Sequence, residues 1–222
     1  PRVHMSIAPR GPEGQRGGLP GGSCWPSRQA TRADHAVTVV DDRISMRSDR
    51  VGSAYLVSVA PARAIQDPDR HAAALTAWIL GQGENSRLHW ALIEPGRAEE
   101  AACEYEGHDG VGHYAAWAIC PTDDADAVLE TLVAQHDGVI DSIEAPDLDR
   151  AVALTRTLVS MAGELPAGRM QRLGRLLTTT GTRVSLEEEL DRIEAITIDD
   201  LHDVATRWPV TPAVLGRLSP AG

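Results

Sequence analysis

The hydrophobic period of this chain changes along its length, and the order of that change constrains its fold more than any single motif. Val37, Val39 and then Tyr55-Leu56-Val57-Ser58-Val59 have the β-branched and aromatic content of strands, the second run ending at Pro61. The stretch "AACEYEGHDGVGHYAAWAIC" is two strand-like runs around a Gly/Asp/His turn, the pattern of a β-hairpin. From residue 122 the period lengthens. Ala125, Val128, Leu129, Leu132, Val133 and His136 recur at helical spacing, with Thr122 or Asp123 placed to cap the first turn. Strands grouped before helices, rather than alternating with them, predict an α+β fold and argue against a doubly wound one.

The remaining elements follow from punctuation. "DPDRHAAALTAWILGQG" places Leu75, Trp78 and Ile79 on one helical face, with Gly81 and Gly83 as the stop. A short helix is expected over 85–94, closed by Pro95-Gly96. A longer one is expected over 147–162, with Leu148, Val152, Leu158 and Val159 apolar and Gly163 interrupting. Pro166 suits the first turn of a further helix reaching about Thr179. Ser185-x-x-Glu188 and Thr197-x-x-Asp200 are capping-box patterns opening two more, and Ala213-Val214-Leu215 reads as a returning strand. Residues 1–33 are dense in Gly, Pro, Arg and Ser and read as a linker or disordered segment, leaving 34–222 as the folded domain.

Charge and cysteine content exclude several functions. The net charge is −11, and all 21 basic residues are Arg, with no Lys and no basic cluster to displace counterions from a nucleic acid. No apolar run reaches the roughly 18 residues a membrane helix needs. No signal peptide is visible, which gives a cytoplasmic expectation. Cys24, Cys103 and Cys120 have no disulfide or metal-knuckle spacing, and the simplest reading is two buried thiols and one in the N-terminal segment.

Several tempting motifs lack their context. "GQGENS" imitates a nucleotide-binding glycine loop, but a helix precedes it where that loop needs a strand. His108 and His113, with Glu106 and Asp109, flank the hairpin turn and are of zinc-ligand type, yet a polar hairpin tip reads first as a solvent-facing loop. His89 and Glu94 do not have the spacing of either zinc-peptidase helix motif, and neither motif occurs in the chain. No catalytic residue and no metal ligand is assigned on this basis.

An ordered set of patches carries a resemblance. Ala60-Pro61 ends a hydrophobic strand; Ile79-Leu80-Gly81-Gln82-Gly83 and Ser86-Arg87-Leu88 follow; the chain closes with "GELPAGRMQRLGRLLTTTGTRVSLEEELDRIEAITIDDLHDVATRW". In order and spacing, over about residues 36–218, this resembles the second, zinc-free half of the insulinase/pitrilysin/mitochondrial-processing-peptidase type of zinc metallopeptidase. The resemblance implies a mainly antiparallel sheet packed by helices on one face. It further implies a zinc-bearing partner half, in the same parent chain or a separate subunit, with zinc in that half and none in this chain. A peptide substrate would be enclosed between the halves. In many members the second half supplies an Arg and, seven residues on, a Tyr that hold the substrate backbone. The matching positions here are Ile93 and Glu100, which offer no donor. Arg97 is a partial substitute, and Arg87 is either a substrate-facing cation or a helix-start arginine in a structural ion pair. An inactive homologue acting as a scaffold is the alternative function, and an unrelated α+β binding module is a third.

Overall fold

The computed structural model describes residues 42–208 and 210–221. The linker reading of 1–33, Cys24, and the strand expected at Val37 and Val39 lie outside the described residues. Among the described residues five strands form one sheet in the order β1-β5-β2-β4-β3: β1 Asp42–Ser48, β2 Ala54–Ala62, β3 Glu100–Gly107, β4 Gly112–Cys120 and β5 Val214–Pro220. Every pairing is antiparallel except β1 with β5. The hairpin β3–β4 and the returning strand β5 are where the sequence places them. Among the described residues six α-helices accompany the sheet: α1 Arg70–Gly81, α2 Ala125–Asp137, α3 Ala145–Glu164, α4 Pro166–Thr180, α5 Leu186–Glu194 and α6 Ile198–Arg207.

The two faces of the sheet differ in kind. Ala54, Leu56, Ser58, Ala60 and Ala62 on β2 alternate inward with Tyr114, Ala116, Ala118 and Cys120 on β4. These residues are mostly small, so helix side chains reach deep: Leu75 and Leu80 from α1, and Val128 and Leu132 from α2, are fully buried against them. On α1 the fit tightens until backbone meets backbone. A Cβ on Gly81 would lie 2.1 Å from the Cys103 nitrogen, so this glycine is fixed by close approach, while Gly83, at φ +83°, makes the turn. The opposite face carries Ile44, Met46, Tyr55, Val57, Trp117 and Leu218, paired across neighbouring strands. Ile44, Met46 and Tyr55 on it are 50%, 61% and 42% exposed.

Local differences from the sequence reading have physical causes. The segment expected as a helix over 85–94 is helical from Arg87 and widens into a π turn at His89–Ile93, where the backbone bonds run five residues back, as in Glu94 N–H to His89 O at 2.9 Å. Arg97 and Ala98 then both donate to the Leu92 carbonyl, and Gly96 takes φ +71° to let the chain turn away. Thr122 and Asp123 do not cap α2; they belong to a 3-10 turn whose Asp124 N–H bonds the Pro121 carbonyl at 3.1 Å. Helix α3 runs through Gly163 and stops at Leu165, where the chain turns extended before Pro166. Both capping boxes are present, with Ser185 accepting from Glu188 N–H at 3.0 Å and Thr197 from Asp200 N–H at 3.3 Å. Cys103 and Cys120 are buried free thiols.

The Gly81 contact has a measurable consequence. Gly81→Ala should destabilise the protein by about 2 kcal/mol or more, because a methyl group meets backbone that cannot move independently. Gly174→Ala, at a position in α4 with no atom within 4 Å of the new methyl, should instead stabilise it by up to about 1 kcal/mol. Urea unfolding of the two variants beside the parent chain checks the contrast.

Candidate functional site

The segment joining α1 to β3 holds both arginines singled out in the sequence, and the structure engages each of them. Arg87 donates through Nη2 to Asp147 Oδ2 at 2.6 Å and to the Ser142 carbonyl. Asp147 also receives Arg150 at 2.8 Å and the Glu144 N–H at 3.1 Å, so one carboxylate both caps α3 and anchors two guanidinium groups. Arg150 closes the loop by donating to the Asn85 carbonyl at 3.0 Å. The outcome is an ion pair for Arg87, with Asp147 as its partner. Arg97 donates to Thr131 Oγ1 on α2 at 3.1 Å, and that hydroxyl in turn donates to the Ala127 carbonyl at 2.8 Å. Ile93 packs against the core, and Glu100 is exposed at the start of the edge strand β3, paired with Ile119.

A buried polar pair lies beneath the sheet. Ser58 Oγ and His136 Nδ1 are 3.0 Å apart and both residues are sealed from solvent. Tyr114 meets the imidazole edge-on, with ring centroids 6.3 Å apart. The other ring nitrogen, Nε2, is buried without a hydrogen-bond partner. Burial drives the His136 pKa down to about 4, so the ring is neutral across the physiological range. A hydroxyl–imidazole pair of this kind has nucleophile and base chemistry in principle, but no substrate reaches it. It holds β2 to α2.

A cavity of about 740 Å³ opens between α1, α3, α4 and β3, with Arg70, His71, Tyr105, Arg172 and Arg175 on its walls. Its cations are tied to structure. Arg172 pairs with Glu189 at 2.5 Å, and Arg175 donates to the Gly107 carbonyl at 2.9 Å. Burial, reinforced by Arg70 and Arg192, lowers His71 to about 4, and burial raises Tyr105 to about 12. The Tyr105 hydroxyl donates to the Arg63 carbonyl at 2.8 Å.

Among the described residues, one group of three metal-ligand side chains comes together: Glu106, His108 and His113, with ligand atoms all within 4.8 Å of one another. His89 and Glu94 also approach, at 3.8 Å, as a pair on the π turn. No described helix is long and apolar enough to cross a membrane.

Comparison with known proteins reaches the fold. No family model matches the sequence, and no curated protein matches it. Solved structures do. A conserved protein from Enterococcus faecalis aligns over 84% of this chain and 44% of its own, at 16% identity and TM-score 0.73. A peptidase M16 inactive domain from Pseudomonas fluorescens aligns over 81% and 43%, at 18% identity and TM-score 0.68. The inactive peptidase domain of a Bordetella parapertussis protein aligns over 78% and 94%, at 21% identity and TM-score 0.66. The chain thus spans less than half the length of the Enterococcus and Pseudomonas proteins and nearly all of the Bordetella domain. Its fold is that of M16 inactive domains, as the insulinase-type resemblance implied.

The buried histidine supplies a prediction of sign as well as size. Its pKa falls from an ordinary 6.5 to about 4, so between those values the unfolded chain binds a proton that the folded chain does not. The stability it contributes is complete above pH 6.5 and is lost as the pH falls toward 4. Between pH 6.5 and 5, His136→Leu combined with Ser58→Ala should lose about 2 kcal/mol less stability than the parent, read by urea unfolding at each pH.

Proposed function

We propose that this chain is the non-catalytic second half of an insulinase-type zinc metallopeptidase, forming the wall opposite a zinc-bearing half around an extended peptide. The observation that carries this reading is the one-sided sheet. One face is filled by helices, and the other presents Ile44, Met46, Tyr55 and Trp117 as an apolar surface with Glu100 and Glu104 along its β3 edge. A sheet face of this composition gains by being covered. The match to about half of longer chains, and to nearly all of an isolated inactive domain, supports a missing complementary half.

In this reading, hydrolysis is supplied by zinc in the other half, which activates water for attack on a peptide carbonyl. The residues of this chain position and enclose. Arg87 is assigned the structural share of its two readings, because its guanidinium holds the π turn to α3 through Asp147. Arg97 is the cation nearest the positions where such halves present substrate-holding donors, and it would act on a peptide by leaving Thr131.

The alternative, an inactive homologue that scaffolds a larger assembly, is favoured by one specific feature. Ile93 lies against the core and Glu100 offers only acceptors, at the positions where substrate-holding Arg and Tyr stand in many members. The experiment pairs this chain with a candidate zinc-bearing half, one that carries His-x-x-Glu-His, and assays unfolded peptides. Hydrolysis by the mixture and by neither half alone is expected. Hydrolysis by this chain alone overturns the assignment, and a stable complex without hydrolysis turns it toward the scaffold.

A further inference from the structure

We propose that the tip of the β3–β4 hairpin is a binding site for a divalent transition-metal ion of the zinc class, with Glu106, His108 and His113 as its ligands. The site follows from strand geometry. Glu106 and His113 are directly paired across the hairpin, so their side chains leave the sheet on the same side. His108 is the first residue beyond β3, where its N–H to the Val111 carbonyl closes the turn. The three side chains converge at this tip, and their ligand atoms all lie within 4.8 Å of one another.

The distances suit a small cation. Glu106 Oε2 and His108 Nε2 are 3.2 Å apart. Two ligands bound at about 2.0 Å around a tetrahedral zinc are separated by roughly 3.3 Å. The His108 and His113 rings stack with centroids 5.5 Å apart and planes 18° from parallel. Glu106 and His108 are about half-exposed, so rotation of their side chains draws the donors around one ion. Two imidazoles and one carboxylate are the donor set of borderline cations, whereas calcium and magnesium take oxygen almost throughout.

The backbone under the ligands is already fixed. His108 N–H donates to the Val111 carbonyl at 2.7 Å, and Gly110 supplies the left-handed turn at φ +77°. Gln66 braces the loop from outside: its Nε2 donates to Asp109 Oδ1 and, at 3.1 Å, to the Thr179 carbonyl, and its Oε1 accepts from Gly110 N–H at 3.1 Å. Asp109 is thus drawn toward Gln66, and the other three are the ligand set. A turn held in this way pays little entropy on binding. Three protein ligands leave a fourth position of a tetrahedral ion open to water or to a donor from another molecule. The site is separate from the zinc attributed to the complementary half. It lies on this chain's own hairpin, and its occupancy is read without any peptidase assay.

The test is titration of the metal-stripped 222-residue chain with zinc by calorimetry, and with cobalt by visible absorption. One ion per chain is expected, with the intense bands of four-coordinate cobalt. His113→Ala and His108→Ala should each weaken binding by about tenfold or more, and Glu106→Gln by less. Circular dichroism of the variants confirms that the exposed tip has not carried the fold with it. A parent chain that takes up no zinc at roughly 0.1 mM overturns the proposal. So does uptake that His113→Ala and His108→Ala leave unchanged, which would place the ion elsewhere.

Discussion

The structure depends on how closely helices can approach one face of the sheet. Gly81 puts the end of α1 against the backbone at Cys103, and the alanines of β2 and β4 lower the floor on which α1 and α2 rest. Leucines from the helices fill the space that the strands leave empty, so the core is built from one side. Most of the larger side chains of the sheet, Tyr55 and Trp117 among them, point the other way, while Leu56 and Tyr114 are the large residues inside. This predominance of small side chains on the inner face separates this sheet from one that finishes its own packing, and it motivates reading the chain as half of a larger body.

Polar groups follow the same division of labour. Asp147 caps α3 and gathers Arg87 and Arg150, which holds the π turn before β3 in a fixed relation to the helical layer. Ser58 and His136 spend their hydrogen bond on joining strand to helix where no solvent enters. Arg172 and Arg175 do the same for α4, binding Glu189 and the Gly107 carbonyl. The hairpin tip is different. Glu106 and His108 keep their ligand atoms in the open, and strand pairing brings His113 beside them.

Much of the fold was legible because the relevant forces are local. The hairpin, the two capping boxes and the amphipathic face of α2 each depend on residues within a few positions of one another. His136 belonged to that face by spacing alone, and it is buried as the spacing required; its partner Ser58 is 78 residues away and carried no signal. Arg87 illustrates the same limit, since the fold delivers its partner Asp147 from 60 residues on. The π turn escaped prediction because its ladder differs from an α-helix by one residue of register, which side-chain periodicity does not encode. Leu158 was expected on a packed face and is 48% exposed, in line with Leu154, Met161 and Leu165 along an uncovered stripe of α3 and the turn after it. Periodicity locates such a stripe without saying what covers it.

The central claim is that the bare face of the sheet is meant to be covered by a complementary half. Hydroxyl-radical footprinting of Met46, Tyr55 and Trp117, in the chain alone and after addition of the zinc-bearing half, addresses it at the residues concerned. Oxidation of all three should fall on complex formation, with the exposed Met46 showing the largest change. A complex that forms while these side chains remain as reactive as before would place the partner elsewhere and contradict the account.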